Sequence, residues 1–447
     1  MSQRSQEFFV ISGIFPVFLF WSFSNMDFRG YILFILEAFF AFFLLYRTGY
    51  MNGRRQIFIC SSLLFFAFGI RAALLDYETL DYQRFLTKWV DYFRDNGGFG
   101  ALAQSIGNYN IPYLYFIALF SYSSIKDIYL IKFLSIFFDI LLSYACMKLV
   151  ICAGGSQKRG LICFFLVFLL PTVIINGSMW AQCDSIYTSL AFLSVAVALD
   201  DASSEKKAAP ILSMTLLALS FGFKLQAVFI MPIFPIIWVW KKYNWLSFLV
   251  FPLTYFLLIL PAVILGKPLC EAVMLYVDQA STVGDALNYN SPSMTALLHS
   301  VNDPVRSSSL CIIFAFAAMF LVFVVGMVFR KRITGQSMTA LTLLMVLLIP
   351  FLLPHMHDRY FFFADCLTVV FTCLYVSPWE ITLRALSALL MQFGSLICYL
   401  AYLKTYYLRI GKVFLTNSTG AVAVLITVFI VIFFLVIDLK RADNHVI

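Results

Sequence analysis

The chain has 447 residues, of which 62% are hydrophobic, 18% are aromatic and only 12% are charged. A soluble protein averages about 25% charged residues, and a chain with so few could not cover its surface in water. The composition therefore excludes a cytosolic enzyme, a disordered chain and a nucleic-acid-binding module. It indicates a polytopic membrane protein, for which the bilayer is the main solvent.

The ten cysteines lie mostly inside apolar runs, where we expect them to act as small buried hydrophobic residues. No CxxC or Cys/His metal-ligand spacing occurs. The net charge of +8 comes mostly from short loops, so it indicates membrane topology rather than an acidic partner. The sequence predicts no cofactor, and it neither requires nor excludes a divalent metal.

Apolar runs long enough to cross, or nearly to cross, a bilayer core of about 30 Å recur along the chain. We predict an all-α polytopic fold with about 14 transmembrane helices, in a range of 11–14, forming a single domain over 1–447. The predicted runs are 8–24, 29–47, 56–75, 128–150, 160–176, 179–199, 209–223, 224–240, 244–266, 308–329, 337–353, 359–376, 380–402 and 420–438. The first run lacks a small-residue cleavage site, so we expect it to remain as a helix.

Basic residues in short loops predict the orientation. An even number of crossings places both termini on one side of the membrane. The loops on that side carry Arg47, Arg54, Arg55, Lys158, Arg159, Lys206, Lys207, Lys241, Lys242, Arg330, Lys331, Arg332, Lys440 and Arg441. By the positive-inside rule this side is cytoplasmic, so the long loops face outward.

Two long outer loops follow from this topology. Segment 76–127 contains a short apolar stretch, 111–120, which we expect to lie at the interface or re-enter the membrane, because a full crossing would break the parity. Segment 267–307 is expected to contain an amphipathic stretch and then a short helix. We predict that 76–127 is extracytoplasmic and has juxtamembrane helices of its own.

The first polar cluster is LLDYETLDYQRFLTKWVDYF (74–93), directly after the third predicted span. Asp81, Phe85 and Trp89 are four residues apart in turn, which places one acid on the aromatic face of a helix. A carboxylate held against apolar rings can act as a general base. Asp76 and Glu78 are further acids nearby, and a solvated amphipathic helix on the lipid headgroups is the alternative interpretation.

The second cluster is GNYNIPYLY (107–115), in which Tyr109 and Asn110 precede a proline. This pattern predicts a turn that leads into an aromatic helix. A belt of interfacial tyrosines is the alternative.

The third cluster is NGSMWAQCDSIY (176–187), an expected outer hairpin between two spans. Trp180, Gln182 and Asp184 stand where a helix begins. Asp184 is a candidate site residue, although an N-cap role explains it equally well.

The fourth cluster, FGFKLQAVFIMP (221–232), places Lys224 and Gln226 at the tip of an apolar hairpin. A lone lysine at this depth either snorkels to the interface or binds a phosphate at headgroup level.

The fifth cluster, PHMHDRYFFFADC (354–366), packs His355, His357, Asp358 and Arg359 into five residues. Metal binding would need strand geometry and a further ligand, so a phosphate clamp of Arg and His fits better.

Three ionisable groups lie deeper in the predicted spans. Lys132 and Asp139 are two helical turns apart, for which a structural ion-pair role is expected, and Arg71 lies near the outer end of its span. We count Arg71 among the residues that line the site, together with Asn290 in the second outer loop.

The order of these clusters is more specific than any one of them. The chain contains Asp-Tyr-x-x-Phe-x-x-x-Trp, then YNxPYLY, Trp-x-Gln-x-Asp-Ser-x-Tyr, Phe-Lys-x-Gln-Ala and, late, His-x-His-Asp-Arg-Tyr. Over about residues 56–376, this order resembles the GT-C fold of integral-membrane glycosyltransferases. The chain looks most like the bacterial mannosyltransferase-like proteins related to the glycosylphosphatidylinositol mannosyltransferases. It is also similar to the glucosyltransferases of N-glycan assembly.

The resemblance implies a polyprenyl-phosphate-linked sugar as donor, a glycan or glycolipid as acceptor, and transfer with inversion on the outer face of a membrane. Asp81 matches the position of the catalytic base, which implies that 76–127 is the catalytic loop. Lys224 and Arg359 match positions that hold the donor phosphate, to which we add His357. Trp180, Gln182 and Asp184 match the hairpin that lines the site. The rival acids Asp76 and Glu78, and the extra helical hairpin at the N-terminus, depart from the family pattern.

A bacterial plasma membrane is the expected location, because no soluble domain is visible. Two other functions stay open. A transporter or lipid flippase predicts charges along a pathway at the membrane midplane, where only Lys132 and Asp139 lie here. A polysaccharide polymerase or ligase predicts basic outer loops, whereas the first loop here is acidic.

Overall fold

The computed structural model describes residues 25–51, 53–104, 106–107, 109–200, 208–281, 284, 286–298, 304–403 and 416–444. The predicted run at 8–24 lies outside these residues, as do Lys206, Lys207 and parts of the second outer loop. The described part of the chain is almost entirely helical.

The α-helices, numbered in chain order, are α1 (Phe28–Arg47), α2 (Arg54–Ala72), α3 (Thr87–Asp95), α4 (Ile111–Phe120), α5 (Asp127–Cys152), α6 (Gln157–Phe168), α7 (Pro171–Ile174), α8 (Asp184–Leu199), α9 (Ala208–Phe223), α10 (Phe234–Lys241), α11 (Val250–Ile264), α12 (Leu269–Ser281), α13 (Pro304–Val328), α14 (Gly335–Leu352), α15 (Phe362–Cys373), α16 (Pro378–Leu403) and α17 (Asn417–Asn444). Short irregular elements join or extend them. Five-residue π-helical turns lie at Tyr82–Leu86 and Ile175–Met179, and 3₁₀ turns lie at Gly98–Ala103, Leu225–Phe229, Met231–Ile233, Trp245–Leu249 and Met294–Leu297.

Eight helices in the described part of the chain are long and apolar enough to cross a membrane. They are α1, α2, α5, α11 with its preceding 3₁₀ turn, α13, α14, α16 and α17. A ninth crossing results if α6 and the segment Pro171–Met179, which meet at a 47° bend, form one broken span. The helices are consistent with a polytopic membrane protein.

The predicted count of about 14 crossings is therefore wrong, and the GT-C-like architecture that went with it is not supported. Five further apolar helices have only 10–17 residues: α4, α8, α9, Leu225–Lys241 and α15. At about 1.5 Å per residue, a helix of the length of α8 extends about 24 Å, which is less than the hydrocarbon core of about 30 Å. Hydropathy located the helices, but it did not show where each one breaks.

The predicted positions of the helices agree with the structure better than the predicted number of crossings does. Every predicted run within the described residues overlaps a helix. The stretch at 111–120 is a separate ten-residue helix, α4, and the second outer loop contains α12 and the short 3₁₀ turn Met294–Leu297, as expected. The sequence did not predict the parallel pairing of β1 (Asn288–Tyr289) with β2 (Met356–His357).

Local signals explain several helix starts. Asp27 caps α1 by accepting a hydrogen bond from the backbone of Gly30, and Asn110 does the same for α4 through the N–H of Ile111. Thr334 and Ser337 form a capping box at the start of α14. Each cap satisfies backbone N–H groups that have no partner within the helix.

Helix α5 joins the two halves of the hydrophobic core. Its N-terminal part packs in one cluster with α1, α2, α3 and α4, while its C-terminal part packs in a second cluster with α8, α9, α14, α15 and α17. Both clusters are built from large apolar side chains at almost zero exposure.

The succession of helices places the candidate residues at one end of the bundle. Helices α2, α9 and α14 end there, and α5, α8 and α15 begin there. The basic residues lie at the opposite helix ends: Arg54 and Arg55 begin α2, Lys158 and Arg159 begin α6, Lys241 ends α10, and Arg330, Lys331 and Arg332 precede α14. The candidate residues and these basic residues therefore lie at different helix ends, and the orientation in a membrane stays a prediction.

Candidate functional site

Asp81 lies next to the hairpin between α7 and α8. Its Oδ2 atom accepts a hydrogen bond from Trp180 Nε1 at 2.8 Å and another from Gln182 Nε2 at 3.2 Å. Asp81 directly precedes the π-helical turn Tyr82–Leu86 and is partly exposed. Two donors on one oxygen fix the plane of the carboxylate, while the partial exposure leaves it within reach of a substrate.

The hairpin has an unusual backbone that directs Trp180 and Gln182 to the same acceptor. Between them, Ala181 has φ of 59°, in the left-handed region that only glycine adopts without strain. The N–H of Gln182 donates to the carbonyl of Asn176 at 2.9 Å, which closes the hairpin. Such a conformation is held in place by its surroundings and is typical of a functional site.

Asp184 is the centre of a second group of polar side chains. Its carboxylate is 1% exposed and accepts hydrogen bonds from Lys224 Nζ on one oxygen and from Asn176 Nδ2, at 2.7 Å, on the other. Arg359 Nη1 lies 3.2 Å from that second oxygen. Two cations from distant parts of the chain are therefore held by one buried acid.

Gln182 connects the two groups. Its side-chain oxygen accepts hydrogen bonds from Arg359 Nη1 and, at 3.2 Å, from the hydroxyl of Tyr109, while its amide nitrogen donates to Asp81. A continuous hydrogen-bonded chain thus runs from Asp81 through Gln182 to Arg359 and Asp184. Such a network orients its members more strictly than separate pairs would.

Burial and neighbouring charges shift the titration of the 357–359 segment. Burial raises the pKa of Asp358 to about 6, although Arg359, whose Nε lies 3.7 Å from the carboxylate, opposes this. Burial, together with the charges of Arg359 and Lys224, lowers the pKa of His357 to about 4. His357 is therefore neutral at pH 7, so only Lys224 and Arg359 of the three predicted phosphate ligands carry a positive charge there.

The two rival acids have partners elsewhere. Asp76 accepts hydrogen bonds from the hydroxyl of Tyr129 at 2.6 Å and from Asn25. Glu78 pairs with Lys126 at 2.6 Å, and this hydrogen bond lowers the pKa of Glu78. Of the acids in the first loop, Asp81 is the one that the fold brings to the hairpin.

Arg71 does not line the surface of the site but lies in the protein interior beside it. It is fully buried, and its Nη2 atom donates to Asp139 at 3.1 Å and to the carbonyl of Phe168 at 2.8 Å. The expected pairing of Lys132 with Asp139 is wrong. Asp139 pairs with Arg71, because α2 brings the guanidinium group against this face of α5, while Lys132 binds backbone carbonyls.

The remaining predicted site residues mostly support the backbone around the cluster. Asn110 caps α4 and donates to the hydroxyl of Tyr255 at 3.3 Å. Asn290, at φ of 65°, donates to the carbonyl of Cys398 at 2.9 Å. Gln226 is buried two residues after Lys224.

The two histidines support the short strand pair. The ring of His355 bonds to the carbonyl of Ala286 at 2.8 Å and to Ser308 at 3.2 Å. The ring of His357 stacks on Tyr289 across the strand pair, with 4.8 Å between centroids. These contacts are with the backbone, a serine and a tyrosine, and they do not test whether His357 binds a phosphate. The assignment of His357 to the donor phosphate stays a prediction.

The aromatic neighbour of Asp81 differs from the expected one. Phe85 and Trp89 do contact each other, at 6.3 Å between ring centroids, but Phe85 is 51% exposed while Trp89 is buried. The intervening π-helical turn alters the four-residue repeat that predicted a single face. The ring that donates a hydrogen bond to the carboxylate belongs to Trp180.

Sequence reasoning missed two residues that hold the site together. Asn176 was seen only as part of a turn, yet it binds Asp184 directly. Ser135 lies inside an apolar run of α5 and donates to the carbonyl of Gln182 at 2.7 Å. A polar residue within a predicted span was the available signal, because such residues contact the bundle interior.

The chemistry of the site is that of one carboxylate beside a pair of cations. Among the described residues, no group of three or more His, Cys, Asp or Glu side chains is arranged to hold a metal ion. An acid positioned by two donors can take a proton, and Lys and Arg can stabilise an anion next to it.

Comparisons with known proteins add no family. No family model, no curated protein and no solved structure matches the chain. The resemblance to GT-C glycosyltransferases therefore stays a prediction from the order of the motifs.

Proposed function

We propose that the protein is an inverting hexosyltransferase that uses a polyprenyl-phosphate-linked sugar as donor and an extracytoplasmic glycan as acceptor. The observation that carries this proposal is the hydrogen-bonded connection from Asp81 through Gln182 to Arg359 and Asp184. It supports the proposal because the candidate base and the candidate anion-binding pair belong to one hydrogen-bonded group. That combination suits transfer from a phosphate leaving group.

In the proposed reaction the acceptor hydroxyl attacks the anomeric carbon of the donor sugar. Its proton passes to the carboxylate of Asp81, the new carbon–oxygen bond forms, and the bond from the anomeric carbon to the phosphate oxygen breaks. The electron pair of that bond stays on the phosphate, which departs as polyprenyl phosphate. Attack from the face opposite the leaving group inverts the anomeric centre.

The cation pair suits a phosphate because it remains partly accessible. The side chains of Lys224 and Arg359 are 13% and 19% exposed, whereas Asp184, which anchors them, is 1% exposed. A phosphodiester carries one negative charge at every pH of interest, and hydrogen bonds to charged groups are stronger than neutral ones. The anchored cations would therefore meet the leaving group without first having to be ordered.

The location of the site is part of the proposal. The cluster lies at the helix ends opposite the short basic loops, so the positive-inside rule favours an extracytoplasmic site in a bacterial plasma membrane. A lipid-linked donor would reach this end from the bilayer, with its chain among the apolar helices. Membrane lipids and a surface or cell-wall glycan are the partners that this arrangement implies.

Turnover of synthetic donors by the purified protein tests the proposal. The protein in lipid nanodiscs would be given a panel of polyprenyl-phosphate-hexoses with glycan acceptors, and the release of polyprenyl phosphate and the anomeric configuration of the product would be measured. We expect release for at least one donor and an inverted product. Retention of configuration would contradict the mechanism, and absence of release with every donor would favour a transporter or a polymerase.

A further inference from the structure

Helix α5 presents a row of polar side chains on one face. Lys132, Ser135 and Asp139 are three and then four residues apart, which aligns them along the helix axis. All three are buried, with exposures of 0%, 2% and 0%. Buried polar groups in an apolar helix are costly unless they are bonded, so each must have specific partners.

Lys132 binds the loop that leads to Asp81. Its Nζ atom donates to the backbone carbonyls of Leu74, Leu75 and Tyr77 at 2.8, 2.9 and 2.7 Å. These three bonds use all the protons of the ammonium group. No carboxylate within the described part of the chain lies within 4.0 Å of it. The three hydrogen bonds of Lys132 therefore fix the backbone between the end of α2 and Asp81.

Ser135 binds the facing hairpin one turn further along. Its hydroxyl donates to the carbonyl of Gln182 at 2.7 Å. The hairpin approaches α5 so closely that a Cβ atom at Gly177 would lie 3.2 Å from that of Ser135 and 3.3 Å from Asp139. The hairpin and the helix are thus in direct contact, and only glycine fits at this point without a shift.

Asp139 completes the series by joining two helices. One oxygen accepts from Arg71 at 3.1 Å, near the end of α2, and the other accepts from Ser185 in the first turn of α8. Gly177, Gln182 and Ser185 belong to one short stretch of chain. The same face of α5 therefore holds both the segment that leads to Asp81 and the segment that carries Gln182.

We propose that the Lys132–Ser135–Asp139 face of α5 positions the catalytic loop against the hairpin, with Lys132 setting the position of Asp81. The inference rests on the proposed function, since it assigns Lys132 a role in turnover without any contact to substrate. Lys132 acts through the loop backbone and is a positioning residue. The cation pair on Asp184 has its own contacts, so donor binding does not depend on Lys132.

The test compares Lys132→Met with Lys132→Arg in the full-length protein in nanodiscs. Lys148→Met is the matched control, because it removes a lysine from the same helix near its far end. Donor affinity, the number of donor sites, turnover per donor site and the melting temperature are measured for each variant. We expect Lys132→Met to keep its donor sites and affinity while turnover per site falls about 100-fold, the effect of a displacement of about 1 Å.

Lys132→Arg keeps the charge and the donors, so it should recover part of this loss, and Lys148→Met should resemble the wild type. Unchanged turnover per donor site in Lys132→Met would overturn the proposal. A parallel loss of affinity and turnover would also overturn it, because it would indicate general damage. Should Lys132→Met not fold, Ser135→Ala removes one hydrogen bond and is expected to lower turnover about threefold to tenfold.

Hydrogen exchange separates this inference from the proposed function. Peptides covering 74–83 should exchange at least about tenfold faster in Lys132→Met than in Lys148→Met, with little change over 208–223. This readout needs no substrate. Faster exchange in a protein that turns over no donor would support the positioning role and reject the glycosyltransferase. If the wild type turns over donor and Lys132→Met shows unchanged exchange and unchanged turnover, the glycosyltransferase would be supported and the positioning role rejected.

Discussion

Two groups of charged residues lie at opposite ends of the bundle, and they differ in what they connect. At the basic end, Arg384 is fully buried and bonds both oxygens of Asp438 at 3.3 and 3.2 Å, with Glu380 at 3.4 Å. Arg441 closes this group by binding Glu380 at 2.6 Å. All four residues belong to α16 and α17, and Arg384 also donates to the carbonyl of Phe371 at the end of α15. The group therefore joins helices that are neighbours along the chain.

The group around Asp184 draws on segments that are distant in sequence. Lys224 comes from the end of α9, Arg359 from the loop before α15, and Gln182 connects them to Asp81 in the first loop. Both groups include partly exposed cations, Lys224 and Arg359 here and Arg441 in the other, so the difference lies in the segments that they join. An ion group between consecutive helices supports the fold, while a group at the junction of several irregular segments, hydrogen-bonded to a partly exposed carboxylate, can also bind a ligand.

Replacement of Asp81 should have the largest effect on turnover. A general base contributes about 10²–10⁴-fold, so we expect Asp81→Asn to lower kcat by about 10³-fold. Asp95→Asn, which removes an exposed carboxylate from the same loop, is the control and should leave kcat unchanged. Steady-state release of polyprenyl phosphate gives both values. If Asp76→Asn were inactive and Asp81→Asn active, the base would be misassigned.

Replacement of Arg384 should lower the stability of the fold without changing turnover per donor site. Arg384→Met leaves the carboxylates of Asp438 and Glu380 buried with fewer partners, and the loss of one member of a buried ion group costs about 3–5 kcal/mol. Thermal unfolding should show a lower melting temperature, and turnover per donor site should stay at the wild-type value. A loss of donor binding in this variant would remove the distinction between the two groups.

Replacement of the site cations should affect donor binding. A hydrogen bond to a charged group contributes about 1.5–3 kcal/mol, so Arg359→Ala or Lys224→Ala should weaken donor affinity by about 10–100-fold. Arg94→Ala, which removes an exposed arginine paired with Asp91, is the control. Calorimetric titration with a polyprenyl-phosphate-hexose measures the difference. Equal affinity in all three variants would refute the phosphate assignment.

Acidity should change donor affinity modestly and in one direction. Asp358 has its pKa raised to about 6, so it is ionised above pH 6 and becomes neutral as the pH falls below it. The phosphodiester stays anionic and His357, with a pKa of about 4, stays neutral at pH 5. Loss of the Asp358 charge leaves Arg359 less neutralised, so affinity should rise a few-fold between pH 7 and pH 5.

Asp358→Asn tests the source of that change. The variant should bind the donor at pH 7 as tightly as the wild type does at pH 5, and its affinity should vary little between the two. An affinity that rises equally in the variant would assign the pH dependence to another group.

The sequence predicted where the helices lie, because apolar runs are a local pattern. Apolar runs mark helices whatever their length, and alternating helices bring Asp81, Gln182, Lys224 and Arg359 to the same end. The number of crossings did not follow, because breaks such as the bend before Pro171 depend on packing as well as composition.

The partners of the buried polar residues also could not be predicted. Lys132 was expected to pair with an acid, but it binds three carbonyls, and a backbone carbonyl has no signature in the sequence. The same holds for Ser135 and Asn176, whose partners come from the fold of the hairpin. Residue types identified the candidates, and tertiary structure decided what each of them contacts.

A single-turnover experiment tests the central claim most directly. Wild type and Asp81→Asn would be loaded with one equivalent of a polyprenyl-phosphate-hexose, bound donor would be counted, and acceptor would then be added. We predict one bound donor per protein in both, followed by release of one polyprenyl phosphate from the wild type and none from the variant. Equal release from both proteins, or no bound donor in the wild type, would contradict the account.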